Sequence, residues 1–406
     1  MSDRIPRPPG WDMTEPRRAL SAFLDALPAR PQLLGLGEPT HGVDAFPAWR
    51  NRIFQALVED HGFRSIALES DIVAGLRVDA HVTAGQGTLD GAMQGSFSHG
   101  FGGVQANRDL VAWMRIFNTG RERADQLRFY GFDPPLEWWA PSPRASLLAL
   151  HAFLSEQLDS LPVDRATLER LCGDDARWAD PAAVMDAAQS IGNSREARQL
   201  RLLADDLWTL LQTSGPGLAD HPDVWEAQLQ ARTAVGLLRY HAGLADPAPN
   251  YRRLERGSAL RDLMMADHLG AIAEREGGRG PTLVFAHNVH LQRPRSTMKL
   301  GDWSVAWWSA GAHVSRRLGT GYAFIASALG TAPDRGIGDP APDTPEGALV
   351  DPAHPATLYA SRELTAALPG GLATRTDLPA QAGYFPLEVE GLALTDGVLM
   401  LNRAAD

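Results

Sequence analysis

Short apolar runs bounded by turn residues limit most strongly how this chain folds, because they are too short for helices and apolar on both faces. PQLLGLGE (31–38), FRSIALES (63–70), LRFYGFD (127–133), PTLVFAHN (281–288) and YAFIASALG (322–330) all have this form. Continuous apolar runs of this length read as strands buried on both sides. Helical spacing precedes and separates the first three: RALSAFLDALP (18–28) before them, then FPAWRNRIFQALVEDHG (46–62) with His61-Gly62 as its stop, and ANRDLVAWMRIFNTG (106–120) ending at Gly120. Strands alternating with helices of this length make βαβ units, hence an α/β fold with a mostly parallel sheet.

The alternation then breaks. From Pro135 to Gly277 every periodic segment is helical, and the sheet pattern resumes at 281. The expected organisation is a first part of an α/β domain over 1–135, a large all-helical insertion over 136–277, and the second part of the α/β domain over 278–406. Residues 331–385 are rich in Pro, Gly, Ala and Thr and are expected to form long loops, with a last strand in LALTDGVLMLN (392–402).

The balance of 38 basic against 49 acidic residues gives a net charge of −11. Nucleic acid and anionic membrane are therefore poor partners. The single cysteine, Cys172, allows no internal disulfide. The polar, Pro-rich start carries no apolar signal region, and no stretch is long and apolar enough to span a bilayer. A cytoplasmic monomer acting on a small molecule is the expectation.

Parallel strands bring their carboxyl ends to one edge of the sheet, where ligands bind. Four of the runs end in groups able to take or give protons: Glu38 and His41 after the first, Glu69 in the second, Asp133 in the third, and His287 with His290 after the fourth. Arg50, nine residues past His41, stands where it can reach back over the site. Each residue has a plainer reading: Glu38 as a helix-start carboxylate, Asp133 as a turn residue before Pro134-Pro135, and HNVH (287–290) as a metal half-site lacking a clear third ligand. Core packing gives no reason for apolar strands to end repeatedly in His, Glu or Asp, so the coincidence favours a site.

These motifs resemble a known family. GEPTHG (37–42) looks like the GEATHG motif of the erythromycin esterase family. The likeness continues through Phe46 to Arg50, IALES, N-R-D-L-V-A-W-M-R (107–115), YGFD, RDLMMADHL (261–269), AHNVH and the C-terminal DGVLMLN. The resemblance implies a three-layer α/β/α fold with a helical subdomain over a deep cleft. It also implies hydrolysis of an ester, typically a macrolide lactone, without a tightly bound cofactor. It assigns the catalytic histidine to His41, its partner glutamate to Glu69, the motif glutamate to Glu38, the first-helix arginine to Arg50, and the second-half histidines to His287 and His290. The glycine-rich FSHGFGGVQ (97–105), with His99, departs from the aromatics many members carry, which bears on the substrate.

No G-x-S-x-G elbow is present, and Cys172 lies within the helical insertion, so activated water is the simplest nucleophile. His41 takes the proton of water, Glu69 orients or tunes it, and His287 or Arg50 faces the oxyanion, while Glu38 is a rival base. The alternatives are metal-assisted hydrolysis through His41, His287, His290 and a carboxylate, a biosynthetic tailoring enzyme catalysing cyclisation or elimination on the same histidines, and a binding protein without turnover. Trp138, Trp139 and Trp225 read first as core and second as flat surface for a bulky ligand.

Overall fold

A computed structural model describes residues 7–137, 139–379 and 382–404. Its strands are β1 (Trp11–Asp12), β2 (Leu33–Glu38), β3 (Ser65–Asp71), β4 (Arg128–Asp133), β5 (Thr282–His287), β6 (Arg295–Leu300), β7 (Trp303–Trp308), β8 (Tyr322–Thr331), β9 (Ala356–Ala360) and β10 (Gly397–Arg403). Eight of them form one sheet in the order β1-β9-β10-β8-β2-β5-β3-β4, and β6 and β7 form a separate hairpin. The run from β10 to β4 is parallel throughout, while β9 pairs antiparallel with both β10 and β1. This is the mostly parallel α/β sheet expected from the sequence.

Alternation along the strands explains the three layers. Leu34, Leu36, Ile66, Leu68, Leu283 and Phe285 join one core with the helices Pro16–Ala26, Ala45–His61 and Gln105–Asn118. Leu33, Ala67, Val284, Ala286 and Phe324 join the other core with the helices Asn250–Glu276 and Ala310–Leu318. Burying a Leu or Phe fully is worth roughly 1.5–3 kcal/mol, and both faces collect many such residues. The helix Ala45–His61 stops at Gly62, which takes φ +63° as a left-handed cap.

Between β4 and β5 every regular element among the described residues is a helix, with Arg144–Gln157, Arg195–Thr213 and Val224–Leu244 sharing a core of Leu147, Leu150, Leu200, Leu207 and Leu238. Ser194 caps the second of these by accepting from Ala197 N–H.

The C-terminal third corrects the expectations. Residues 331–385 hold β9 and the helices Pro345–Leu349 and Ser361–Ala367 rather than loops alone. The last strand starts at Gly397, not 392, because Asp396 is a bonding hub: its carboxylate accepts from Phe324 N–H and from Arg293. In the β6–β7 hairpin, β6 carries Arg295, Thr297 and Lys299 on alternate positions, and the apolar stretch of β7 spans only Val305–Trp308.

Trp138 lies outside the described residues. Trp139 is half-exposed, and Trp225 packs on Tyr130 with Arg275 over it, in a groove with Asp79 and Arg128 and away from the sheet edge described below. No helix among the described residues is long and apolar enough to cross a membrane.

Candidate active site

Glu38 ends β2 and lies in register with His287, which ends the neighbouring β5. Both continue the alternation that points Leu36 and Phe285 toward the helix Ala45–His61. Two glycines of GEPTHG act differently. Gly42 takes φ +76° in the turn, whereas Gly37 is needed because a Cβ there would meet the Asn288 side chain at 2.0 Å. On β3 the register with β4 slips between Leu68 and Asp71, so an extra residue bulges out where Glu69 sits. Such bulges re-aim side chains beside active sites. Gly131 of β4 makes room, since a Cβ would lie 2.4 Å from the Ser70 carbonyl.

The ends of β2, β3, β4 and β5 thereby bring six of the seven sequence candidates into one cluster, all but Arg50. His41 Nδ1 meets Glu38 Oε1 at 2.7 Å, and its Nε2 stands 3.9 Å from Glu69 Oε1 with no hydrogen bond. The His41 side chain is 41% exposed, although its neighbours are buried. Burial opposes its charge, but the Glu69 carboxylate and the bond and charge of Glu38 outweigh it and bring the pKa up to about 9. Burial pushes the Glu38 carboxyl up against the pull of His41. Glu69 goes the other way: the charges of His290, His41 and Arg261 overcome its burial and hold it well below the usual carboxylate range.

His287 sits with its ring centroid 5.1 Å from that of His41. Its Nε2 faces the Pro39 carbonyl at 3.0 Å and must carry the proton, and its Nδ1 accepts from Val289 N–H at 3.3 Å. Both nitrogens are committed, so the ring does not turn a donor to the cleft as the oxyanion expectation required. Burial, then the nearby charge on His41, bring its pKa down to about 3. Its backbone N–H donates to Glu69 Oε2 at 2.8 Å. His290 is held between carboxylates, Nδ1 at 2.9 Å from Asp262 and Nε2 at 3.3 Å from Glu69. Those two charges outweigh its burial and raise its pKa.

Arg50 departs from expectation. It lies beneath the cluster, 1% exposed, rather than over it, because position 50 is one turn from Phe46 on the sheet-facing side of its helix. Its guanidinium sits 5.0 Å from the Phe285 ring centroid and donates to Asn107, Asn51 and the Ala106 carbonyl. With Glu38, Glu69 and Phe101 it lines a cavity of about 40 Å³, enough for a water.

Sequence reasoning missed Arg261 and Asp262 and undervalued Asp133 and His99. Arg261 donates through Nε and Nη2 to both oxygens of Asp133, and Nη2 also reaches Glu69 Oε1 at 3.1 Å. Asp133 is fully buried, not a turn residue, and His99 Nε2 lies 2.9 Å from it. His99 also pairs with Glu137 and holds φ +57°, a strained backbone for a non-glycine residue. Asp262 accepts from His290, Trp307 Nε1 and Ala310 N–H. The available signal was a pair of charges, RD, set in an otherwise apolar helical stretch. No group of three His, Cys, Asp or Glu side chains arranged to hold a metal occurs among the described residues.

The sequence model of the erythromycin esterase family matches residues 58–395. Three solved structures share the fold. A Bacillus cereus protein is 16% identical, covering 98% of this chain and 95% of its own, with a TM-score of 0.69. A protein described as a succinoglycan biosynthesis protein is 18% identical over 95% and 90%, with a TM-score of 0.66. A histidine-to-asparagine variant of the erythromycin esterase EreC, in its open conformation, is 19% identical over 100% and 98%, with a TM-score of 0.66.

Proposed function

Because this chain belongs to the erythromycin esterase family, we propose that it hydrolyses an ester or lactone of a bulky small molecule, with His41 moving the proton of the attacking water. The observation that carries this reading is the free Nε2 of His41. Each other histidine of the cluster has both ring nitrogens facing partners, and Glu69 is held too acidic to serve as a base. A water in contact with Nε2 also lies within reach of Glu69 Oε1, 3.9 Å away.

Glu38 fixes the imidazole with its Nδ1 proton toward the carboxylate, leaving Nε2 for chemistry, the arrangement a carboxylate gives a catalytic histidine. As Nε2 takes the proton of water, the imidazolium that forms is held between Glu38 and Glu69. It then returns the proton to the leaving alkoxide. A positioned base of this kind contributes ~10²–10⁴ in rate. For the oxyanion, Arg261 is the better candidate than His287 or Arg50. Its Nη1 has no hydrogen bond among the described residues, while Asp133 and Glu69 lock the rest of the guanidinium.

One observation favours a second reading. With a pKa near 9, His41 is charged at neutral pH, which suits a general acid in cyclisation or elimination by a tailoring enzyme. The test is turnover of a panel of esters and macrolides by the parent and by His41→Asn. The hydrolase reading expects parental turnover with release of acid and alcohol, and at least a ~10²-fold loss in a variant that still folds. Water-free rearrangement of the substrate would favour the tailoring enzyme.

A further inference from the structure

The helix Asn250–Glu276 has two working faces. Arg261 and Asp262 bond into the His41 cluster through Glu69 and His290, while Met264 and Asp267 line a cavity of about 520 Å³. The helix Val224–Leu244 and the end of the helix Ala310–Leu318 complete its walls. Gln32, just before β2, also lines it, so this cavity lies toward the amino-terminal edge of the sheet. The six residues of β2 separate that edge from Glu38, a span of about 20 Å.

The charges in this cavity do not balance. Arg317 is answered by Asp267 at 2.7 Å. His268 donates Nδ1–H to the Phe132 carbonyl, and burial brings its pKa down to about 4, so it adds no charge. Arg232 is different. Its Nε and Nη2 are buried without a hydrogen-bond partner, and its guanidinium lies 5.9 Å from the Trp208 ring centroid. Nη1 is the nitrogen of the group left facing the cavity, and it has no bond among the described residues. Asp267 and Glu274 pull on it from a distance without pairing. Arg239, two turns along the same helix and about 10 Å away, lines the same space, exposed and without a partner among the described residues. Buried charged donors without acceptors are costly and uncommon in native folds. Glu274 also lines the space, so three arginines stand against two carboxylates, and Val235, Leu260 and Met264 with Trp208 supply apolar walls.

We propose that this cavity binds a small organic anion: a carboxylate or phosphate seated at Arg232 Nη1, with Arg239 at the mouth and a flat or apolar body along Trp208, Leu260 and Met264. The volume suits a drug-sized molecule. Guanidinium groups take carboxylate and phosphate alike, so the body and the two arginines define the class, and the anionic group is left for titration to decide. The site is separate from the cleft and does not depend on its chemistry.

Calorimetric titration of the full chain with benzoate, phenyl phosphate and neutral benzamide tests this. The expected result is saturable one-to-one binding of at least one anion, with benzamide at least about tenfold weaker. Arg232→Met and Arg239→Glu should each weaken the anion at least about tenfold, while ester turnover is retained. The stronger of the two anions identifies the group. Should Arg232→Met not fold, the exposed Arg239→Glu decides alone. Absence of binding tighter than about 1 mM for both anions, equal binding of benzamide, or undiminished binding in the folded variants would overturn the proposal.

Discussion

His41 and His287 follow adjacent parallel strands, with ring centroids 5.1 Å apart, yet they are opposite kinds of histidine. His41 stands partly exposed between two carboxylates and holds its proton up to about 9. His287 lies behind it, buried, bonded to a carbonyl and an amide, and keeps a neutral ring down to about 3. Position at a strand end therefore does not define a role. The partner of each nitrogen does: carboxylates make a proton carrier, and backbone groups make a brace.

The largest effect separates the pair directly. His41→Asn should cut turnover at least ~10²-fold in a variant that still folds cooperatively, with a melt lowered by the loss of the Glu38 bond rather than abolished. A variant that folds and keeps near-parental turnover would move the base role to Glu38.

Arg261→Lys comes next. Lysine keeps the charge but not the fork that holds Asp133 and Glu69 together. If Nη1 serves the oxyanion, turnover should fall roughly 10²–10³-fold at a little-changed KM. A rise in KM with unchanged kcat would leave Arg261 a binding residue only.

The sequence made both members of the pair easy to find and hid what distinguishes them. Buried strands are legible because an apolar run on both faces has few other uses, so Glu38, Glu69 and His287 were found at their ends. The short β9 and β6 lack such runs, the apolar stretch of β7 is only four residues long, and the Pro- and Gly-rich composition around β9 reads as loop. The groups that set the site's charge come from elsewhere. Arg261 and Asp262 sit in mid-helix, and their use depends on how that helix crosses β4 and β5, which no local pattern encodes. Arg50 was found but its direction was not, because helical phase relative to the sheet decides whether a long side chain reaches over a site or under it.

Glu69→Gln sharpens the comparison further. Removing that carboxylate leaves His41 with one anionic partner, so the inflection of the pH–rate curve should move down by roughly 1–3 units. Turnover should fall less than in His41→Asn. An unmoved inflection would show that Glu69 does not set the titration of His41.

The smallest effect is on stability. His287→Asn keeps at most one of two buried bonds and should cost about 1–3 kcal/mol in chemical denaturation. The folded pKa of His287 lies below its ordinary 6.5. Its contribution is therefore present above about pH 6.5 and lost as pH falls from there toward 3. His41, raised above 6.5, contributes below that pH and loses its contribution as pH rises through about 9. Parental stability should fall on acidification, and less steeply in His287→Asn. Some slope should remain, since burial holds His241 and His268 at about 4 as well. Parallel curves would mean that His287 is no brace.

The most direct measurement is the pH dependence of kcat/KM for ester hydrolysis by the parent protein, from about pH 6 to 10. If His41 is the base, it must first lose the proton that Glu38 and Glu69 hold on it. The rate should then climb with pH and level off above an inflection near 9. A rate that instead falls through the same inflection would make His41 an acid and contradict the account.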